Sequence, residues 1–237
     1  MKYITHIIKK EEVAEGTMAF YFERPNNFEF KAGQSMDVTL LNPSETDQEG
    51  DVRAFSIASA PHEMHLMITT RMRDTAFKRV LKNSPAELEI EGPFGSFTLH
   101  ENIARPAVFL VGGIGITPFY SMLKDAAERK LAHTISLFYS NRRPEDAAFL
   151  RELGALQEKN ENFTFVPTMT EMENSKLLWT GERGYITVEL LNAHMPIRTN
   201  AIYYAAGPRV MVTAMRKLVN DSGVSNDDIR TEEFSGY

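Results

Sequence analysis

The sequence contains no cysteine among its 237 residues. This absence excludes disulfide bonds, thiolate catalysis, zinc–thiolate sites and iron–sulfur clusters held by cysteine. The six histidines are scattered along the chain, and no carboxylate cluster accompanies the closest pair, His62 and His65. We therefore expect no metal site.

Long apolar runs are also missing. None approaches the roughly 20 residues of a membrane-spanning helix, and the first residues, MKYITHIIKKEE, carry charges where a signal peptide needs its apolar core. The sequence therefore predicts a cytoplasmic protein with no membrane span. The formal net charge of −6 favours solubility and provides no general attraction to nucleic acid or to an anionic membrane.

Short β-strand patterns separated by turn signals fill the chain up to about residue 101. The predicted strands are Tyr3–Lys9, Thr17–Glu23, Phe28–Gly33, Ser35–Leu41, Arg53–Ala58, His65–Thr70 and Ala86–Ile90. A polar, acidic stretch at Asn42–Asp51 predicts a surface loop, and Thr75–Leu81 has the pattern of a helix. Many short strands of this kind are typical of a closed barrel or a sandwich.

From Arg105 onward, apolar strands alternate with helices. The predicted strands are Ala107–Val111, Thr134–Tyr139, Phe163–Thr168 and Ala201–Ala205, and the predicted helices are Pro118–Arg129, Glu145–Lys159, Leu190–His194 and Pro208–Ser222. This alternation predicts a parallel, doubly wound sheet. The boundary is expected near Glu101–Arg105, which divides the chain into a β domain at residues 1–103 and an α/β domain at residues 104–237.

The stretch FLVGGIGITP, Phe109 to Pro118, combines a buried strand, a glycine turn and a helix start. Glycines allow the turn and a close backbone approach, and the first helical turn offers unpaired N–H groups that favour a phosphate. Pro118 suits an early helical position, where no N–H is needed. The stretch predicts a cradle for a pyrophosphate or a nicotinamide, and a tight strand–helix turn without a ligand is the alternative.

A second group of residues lies in RAFSIASAP, Arg53 to Pro61. On a strand, Arg53 and Phe55 share a face. An arginine can pair a phosphate, an aromatic ring can stack on a flat cofactor, and the Ser56 hydroxyl can hydrogen-bond a ring nitrogen. The alternative interpretation is that this strand is only part of the barrel wall and binds no ligand.

Six segments, in order along the chain, resemble motifs of the ferredoxin–NADP(+) reductase superfamily. They are RAFSIASAP, GPFGSF at Gly92–Phe97, VGGIGITP at Val111–Pro118, YSNRRPEDAAF at Tyr139–Phe149, AAGPRVM at Ala205–Met211 and TEEFSGY at Thr231–Tyr237. They are similar, in turn, to its flavin motif, barrel-closing turn, nicotinamide-nucleotide turn, ribose-phosphate segment, C-G-P-x-x-M turn and E-x-F/Y tail. Two departures are Phe55, where tyrosine is commoner, and Ala206, where the family usually has cysteine.

The resemblance implies an antiparallel flavin-binding β-barrel followed by a nucleotide-binding α/β domain. It implies that Arg53 holds the flavin pyrophosphate, that Phe55 stacks on the isoalloxazine and that Ser56 hydrogen-bonds near N5. The remaining implied flavin contacts are Ile57, Ile68, Thr69, Thr70, Asp74, Thr75 and Ala76. Thr75 is equally well explained as a simple helix cap. The resemblance favours FAD over FMN.

In the second half, the resemblance implies a nicotinamide-nucleotide site. Its expected residues are Gly113, Gly115, Thr117, Pro118, Ser140, Asn141, Arg142, Arg143, Gly207, Pro208 and Met211. Two arginines and no acid after the strand favour NADPH over NADH, because arginine suits a ribose 2′-phosphate. The alternative is a solvated basic pair bound to Glu145 or Asp146.

The C-terminal segment is implied to return to the flavin. Glu232 matches the family's acidic residue near N5 and Phe234 its aromatic partner, with Glu233 as the alternative if the register slips by one. Tyr237 would cover the flavin face. A frayed acidic tail is the alternative.

The implied activity is an FAD-dependent NAD(P)H oxidoreductase that takes hydride at flavin N5 and passes electrons to a separate acceptor. Without cysteine to hold an iron–sulfur centre, that acceptor would be a ferredoxin, a flavodoxin, an oxygenase component or a small molecule. A basic cluster could dock an acidic carrier or be a solvated helix face: Arg71, Arg73, Lys78, Arg79 and Lys82. A non-catalytic flavin- or nucleotide-binding subunit of a larger complex is the alternative function.

Overall fold

The computed structural model describes residues 1–83, 87–197 and 199–234. They form two compact units, one of residues 1–98 with 117–125 and the other of residues 99–116 with 126–237. The division into domains at residues 103 and 104 stays a prediction.

The first unit contains two antiparallel sheets, as expected of a barrel-like β domain. One has the order β1-β7-β4-β5, and the other has the order β2-β3-β6. The strands are β1 (Lys2–Thr5), β2 (Ile7–Ala14), β3 (Thr17–Glu23), β4 (Ser35–Leu40), β5 (Val52–Ser56), β6 (His65–Arg71) and β7 (Leu88–Phe94), and helix α1 is Ala76–Lys82.

Alternation along β4 shows why these strands form a core. Met36, Val38 and Leu40 are buried, while the residues between them are half-buried, so every second side chain points inward. They join Phe20 of β3 and Phe77 of α1 in one apolar cluster. The polar loop that follows β4 leads back to β5, which pairs with β4 in antiparallel register.

The second unit is built on a six-stranded parallel sheet with the order β11-β10-β9-β8-β12-β13. The strands are β8 (Ala107–Gly112), β9 (Ile135–Asn141), β10 (Phe163–Met169), β11 (Glu182–Arg183), β12 (Ile202–Pro208) and β13 (Ile229–Phe234). The helices between strands β8 and β13 are α2 (Ile116–Glu128), α3 (Leu150–Lys159), α4 (Val188–His194) and α5 (Arg209–Asp221). The doubly wound parallel sheet is therefore confirmed.

The winding of this sheet reverses beside β8. From β8 the chain adds β9, β10 and β11 on one side, and it then crosses over to place β12 and β13 on the other. In open parallel sheets, ligands bind outside the carboxyl ends of the strands at such a switch point. The ends of β8 and β12 are therefore where a ligand site is expected.

Three predicted elements differ from the structure. The single strand predicted at Tyr3–Lys9 is divided into β1 and β2, which lie in different sheets. Phe28–Gly33 is not a strand, because its backbone makes local turn bonds such as Gln34 N–H to the Lys31 carbonyl at 3.1 Å, although Phe28 and Phe30 are buried. The helix predicted from Glu145 begins only at Leu150, because Phe149 lies in the left-handed region at φ 62°.

No helix in the described part of the chain is both long enough and apolar enough to span a bilayer.

Candidate functional site

Two buried hydroxyl groups lie on adjoining strands of the first unit. Ser56 ends β5 and Thr69 lies on β6, and the end of β5 is joined to β6 by a hydrogen bond from Ala58 N–H to the Met67 carbonyl at 2.7 Å. Among the described residues, neither Ser56 Oγ nor Thr69 Oγ1 has a hydrogen-bond partner. Leaving a buried polar group unpaired costs about 1–3 kcal/mol, so both groups fit a polar ligand.

The neighbouring predicted flavin residues offer different groups. Phe55 is half-buried, and its ring centroid lies 6.0 Å from that of Phe77. Ile57 and Ile68 are fully buried in the apolar core, so only their backbone could meet a ligand. The Thr70 hydroxyl donates to the Arg71 carbonyl at 3.4 Å.

Arg53, the predicted pyrophosphate ligand, is held by the loop that precedes it. Its Nη1 donates to the carbonyls of Glu49, Gly50 and Val52 at 2.8–2.9 Å. Its Nη2 lies 3.0 Å from both the Asp47 and the Glu49 carboxylates. The predicted phosphate ligand is thus already surrounded by acceptors from its own loop.

The residues at the start of α1 make local contacts. The Thr75 hydroxyl accepts from Lys78 N–H at 3.3 Å as the helix cap. The Asp74 carboxylate pairs with Arg79. The Ala76 N–H donates to Asp47 Oδ2 at 3.2 Å.

In the second unit, the glycine turns after β8 and β12 pack tightly against each other. A Cβ on Gly115 would lie 2.6 Å from the carbonyl group of Ala206 and 2.7 Å from the Gly207 nitrogen. Gly113 has φ +51° and Gly207 has φ +149°, conformations that favour glycine. The contact between the two turns therefore leaves no room for a side chain at Gly115.

The remaining residues of these two turns are also close together. A Cβ on Gly112 would lie 2.2 Å from Met211 Sδ and 3.2 Å from Pro208. Thr117 and Pro118 lie in the first turn of α2 and are buried. The carboxyl ends of β8 and β12 thus bring together the sequence-predicted glycines with Pro208 and Met211.

The C-terminal segment forms strand β13 beside β12, with Glu232 in register with Ala206. Among the described residues, Glu232 Oε2 is buried without a hydrogen-bond partner, and burial raises the pKa of this carboxyl to about 7. Glu233 is exposed and lies 3.6 Å from Arg209. Phe234 is half-buried opposite Pro208. Tyr237 lies outside the described residues.

Arg142 and Arg143, the two adjacent arginines after β9, have different surroundings in the structure. Arg143 pairs with the buried Asp146 through two contacts of 2.9 Å. The Arg142 side chain is 54% exposed and lies 3.9 Å from the same carboxylate. Ser140 is half-buried, and the buried Asn141 side chain makes no hydrogen bond within the part of the chain that the structure describes.

Sequence reasoning missed a cavity of about 580 Å³ beside this segment. Hydrogen bonds from Thr170 N–H to the Asn141 carbonyl and from Glu171 N–H to the Arg142 carbonyl, at 2.9 and 2.8 Å, connect the ends of β9 and β10. The cavity lining is Met169, Thr170, Met172, Glu173, Leu177, Leu178, Trp179, Thr180, Arg183 and Gly184. The one available signal was the chain's single tryptophan among exposed leucines in a polar stretch.

Buried polar groups test whether the predicted cofactors fit this chain. In the described ranges, six residues carry buried side-chain N or O atoms without a partner, and four of them are predicted site residues: Ser56, Thr69, Asn141 and Glu232. The other two are His65 and His133. Two of the four lie in each unit, so the residues present fit a polar ligand in both units. No group of three or more histidine, aspartate or glutamate residues in the described chain could hold a metal ion.

Comparison with known proteins finds a match to one family model and to reductase components. Residues 109–217 match the family model of the oxidoreductase NAD-binding domain. The chain is 28% identical over 219 residues to the reductase component of propane 2-monooxygenase from Rhodococcus jostii, covering 89% of this chain and 57% of the relative. It is 26% identical to the glycine betaine monooxygenase reductase subunit of Chromohalobacter salexigens, covering 92% of this chain and 60% of the relative.

Solved structures match the fold of the whole chain. A ferredoxin NADP+ reductase from Neisseria gonorrhoeae with bound FAD and NADP aligns with a TM-score of 0.80 at 23% identity, covering 98% of both chains. The flavohem-like FAD/NAD binding domain of a nitric oxide dioxygenase from Vibrio cholerae aligns with a TM-score of 0.81 at 16% identity, again covering 98% of both chains. The chain therefore has the two-domain fold of these proteins, while it spans less than two thirds of the two reductase components described above.

Proposed function

We propose that this chain is a member of the ferredoxin–NADP(+) reductase superfamily and an FAD-dependent NAD(P)H oxidoreductase, a proposal supported by its fold and by the match to an NAD-binding domain. It oxidises a nicotinamide nucleotide and passes the electrons to a separate acceptor. A cytoplasmic location is part of the proposal.

The proposal rests on one observation: residues predicted to bind the cofactors carry buried polar atoms without hydrogen-bond partners among the described residues. Ser56 and Thr69, expected to meet the flavin, Glu232, expected near flavin N5, and Asn141, expected at the nucleotide site, all have buried polar atoms that make no hydrogen bond within the described residues. Buried polar groups are normally paired. Four such groups on predicted site residues favour ligands over a purely structural role.

On the flavin side, the chain would use three kinds of group. The Ser56 and Thr69 hydroxyls can hydrogen-bond ring atoms, and the half-buried Phe55 ring can pack on a flat face. Arg53 can pair a phosphate once it leaves its present acceptors. When bound, the flavin supplies hydride acceptance at N5 and one-electron release, chemistry that side chains lack.

On the nucleotide side, the ends of β8 and β12 would take the nicotinamide, because they lie at the switch point of the sheet, where ligands bind in open parallel sheets. A pKa of about 7 keeps much of Glu232 protonated at neutral pH, so this carboxyl can donate a hydrogen bond. We place the adenosine end of the nucleotide beside Asn141 and Arg142, towards the neighbouring cavity.

Nucleotide preference depends on a single exposed arginine. Because Arg143 is committed to Asp146, Arg142 is the one of the pair that could bind a 2′-phosphate. We propose NADPH as the preferred donor, with NADH as the alternative.

The acceptor is proposed by class. The two relatives described above are named as reductase components of monooxygenases, which favours an oxygenase component over a ferredoxin, a flavodoxin or a small acceptor. Arg79 of the predicted docking cluster is paired with Glu45 at 2.5 Å and also with Asp74, so the cluster presents less charge than its sequence suggests.

The test is the anaerobic visible spectrum of the purified full chain, recorded before and after addition of NADPH or NADH. We expect a flavin spectrum that is bleached by a nicotinamide nucleotide, faster with NADPH. An R142Q variant should lose the preference for NADPH, and R151Q is a matched control because Arg151 is an exposed arginine on α3.

The alternative is a non-catalytic flavin- or nucleotide-binding subunit. A flavin spectrum that neither nucleotide bleaches would support this alternative and remove the roles of Glu232 and Gly207. A colourless chain that stays without flavin after addition of FAD would contradict the oxidoreductase and remove the roles of Arg53, Phe55 and Ser56.

A further inference from the structure

The loop between β4 and β5 places an acidic side chain where the chain is expected to bind a phosphate. Asp47 Oδ1 lies 3.0 Å from Arg53 Nη2, and Asp47 Oδ2 accepts from Ala76 N–H at 3.2 Å. One carboxylate therefore bridges two of the groups predicted to bind the flavin pyrophosphate.

These contacts are chemically equivalent to those that a phosphate makes. A phosphate oxygen accepts charge-assisted hydrogen bonds from a guanidinium and hydrogen bonds from backbone N–H groups, as a carboxylate oxygen does. Asp47 and a flavin phosphate thus need the same donors, and they cannot both use them at once.

Other cationic side chains lie near Arg53, as a phosphate site requires. Lys78 lies close enough to Arg73 and Arg53 that its pKa is lowered, first by burial and then by these two charges. Besides Asp47, Glu49 also contacts Arg53, at 3.0 Å from Nη2. Both carboxylates come from the same short loop.

Near its first residues, the loop between β4 and β5 also contacts α1, through Glu45. Glu45 Oε2 lies 2.5 Å from Arg79 of α1. The Arg53 side chain is 19% exposed and that of Asp47 is 30% exposed, so water reaches the ion pair. An ion pair that is partly open to water can be exchanged for another anion at modest cost.

We propose that Asp47 is an affinity-determining residue of the flavin site: its carboxylate occupies Arg53 and the Ala76 amide in the flavin-free chain, and the phosphate of the incoming flavin displaces it. This inference rests on the proposed function. It makes flavin affinity the balance between two anions that compete for one guanidinium.

The experiment is a titration of the flavin-free full chain with FAD, followed by quenching of flavin fluorescence. D47N keeps the size of the side chain but removes its charge. We expect its dissociation constant for FAD to be roughly two- to fivefold lower than that of the wild type, the effect of removing one partly exposed ion pair. Riboflavin, which has no phosphate, should bind the variant and the wild type equally.

D51N is the matched control. Asp51 lies in the same loop and carries the same charge, and no contact between its side chain and Arg53 is seen in the described structure. We expect its FAD affinity to equal that of the wild type. An equal gain in D51N and D47N would mean that the loop's charge acts at long range, and it would overturn the displacement.

Three further outcomes are decisive. An unchanged FAD affinity in D47N overturns this inference alone. Weaker FAD binding in D47N overturns it too, since Asp47 would then hold Arg53 in place for the flavin. Failure of folded wild type and variants alike to bind any flavin overturns the proposed function and, with it, this inference.

Discussion

Glu232 has a largely buried carboxyl group with no charged partner among the described residues. Burial raises its pKa from an ordinary value of 4.5 to about 7, and Oε2 has no hydrogen-bond partner among the described residues. The folded chain therefore binds this proton more tightly than the unfolded chain does. Linkage then requires the contribution of Glu232 to the free energy of unfolding to fall as the pH rises from about 4.5 to about 7.

An E232Q variant should lose this dependence, because an amide does not titrate. Between pH 5 and 7 we expect the free energy of unfolding of the wild type to fall by about 1–3 kcal/mol relative to that of the variant. Urea unfolding at several pH values measures the difference. E233Q is the control, since Glu233 is exposed, and parallel curves for E232Q and the wild type would contradict the prediction.

Gly115 has no room for a side chain. A Cβ there would meet backbone atoms of Ala206 and Gly207 at 2.6–2.7 Å, and backbone cannot rotate away as a flexible side chain can. We expect G115A to lower the free energy of unfolding by about 1–3 kcal/mol and to weaken nucleotide binding. Urea unfolding and nucleotide titration test this, and an unaffected variant would show that the two turns can separate without cost.

At the scale of elements, helix α3 provides a contrasting glycine. Gly154 lies inside the helix, and a Cβ there would have nothing within 4 Å. Alanine is a better helix former than glycine, so G154A should raise the free energy of unfolding by about 0.5–1 kcal/mol. The same urea experiment measures it. A loss of stability in G154A would contradict this prediction and weaken the interpretation of G115A.

Strands that carry their own apolar pattern were predictable, and strands defined by a neighbour were not. The fully apolar β8 and the alternating β4 were found to within one residue at each end. β13 was missed because IRTEEF has no clear alternation and becomes a strand by pairing with β12. Phe28–Gly33 was wrongly predicted as a strand. Its aromatic side chains are buried in the core, but its backbone forms turns.

At the scale of the whole molecule, motif residues were predictable but their partners were not. The Arg53 and Glu232 segments were recognised from local patterns. That Asp47 neutralises Arg53, and that Arg143 pairs with Asp146 while Arg142 stays exposed, depends on how polar loops fold back. Charge in a loop predicts exposure to solvent, and it does not say which cation a carboxylate will reach.

Stability of the whole chain near neutral pH also depends on a buried histidine. His100 Nε2 donates to the Arg105 carbonyl at 2.9 Å, because a carbonyl can only accept, and Nδ1 then accepts from the Tyr204 hydroxyl at 3.0 Å. Burial lowers the pKa of His100, and the nearby charges of His133, Arg230 and Arg105 lower it further. The hydrogen bond to the Arg105 carbonyl raises the pKa, but the net shift is downward. The folded chain therefore loses stability as the pH falls below 6.5.

His100 and Glu232 thus give the stability curve opposite slopes between about pH 5 and 6.5. We expect the slope of the wild-type curve to lie between the slopes of the two single variants, because the two effects oppose each other. E232Q should reveal a free energy of unfolding that rises with pH, and H100Q one that falls with pH. Urea unfolding of the wild type, both single variants and the double variant measures this. Each single variant leaves only the other of the two groups to titrate. Slopes of the same sign in the two single variants would therefore contradict the prediction that His100 and Glu232 have opposite effects.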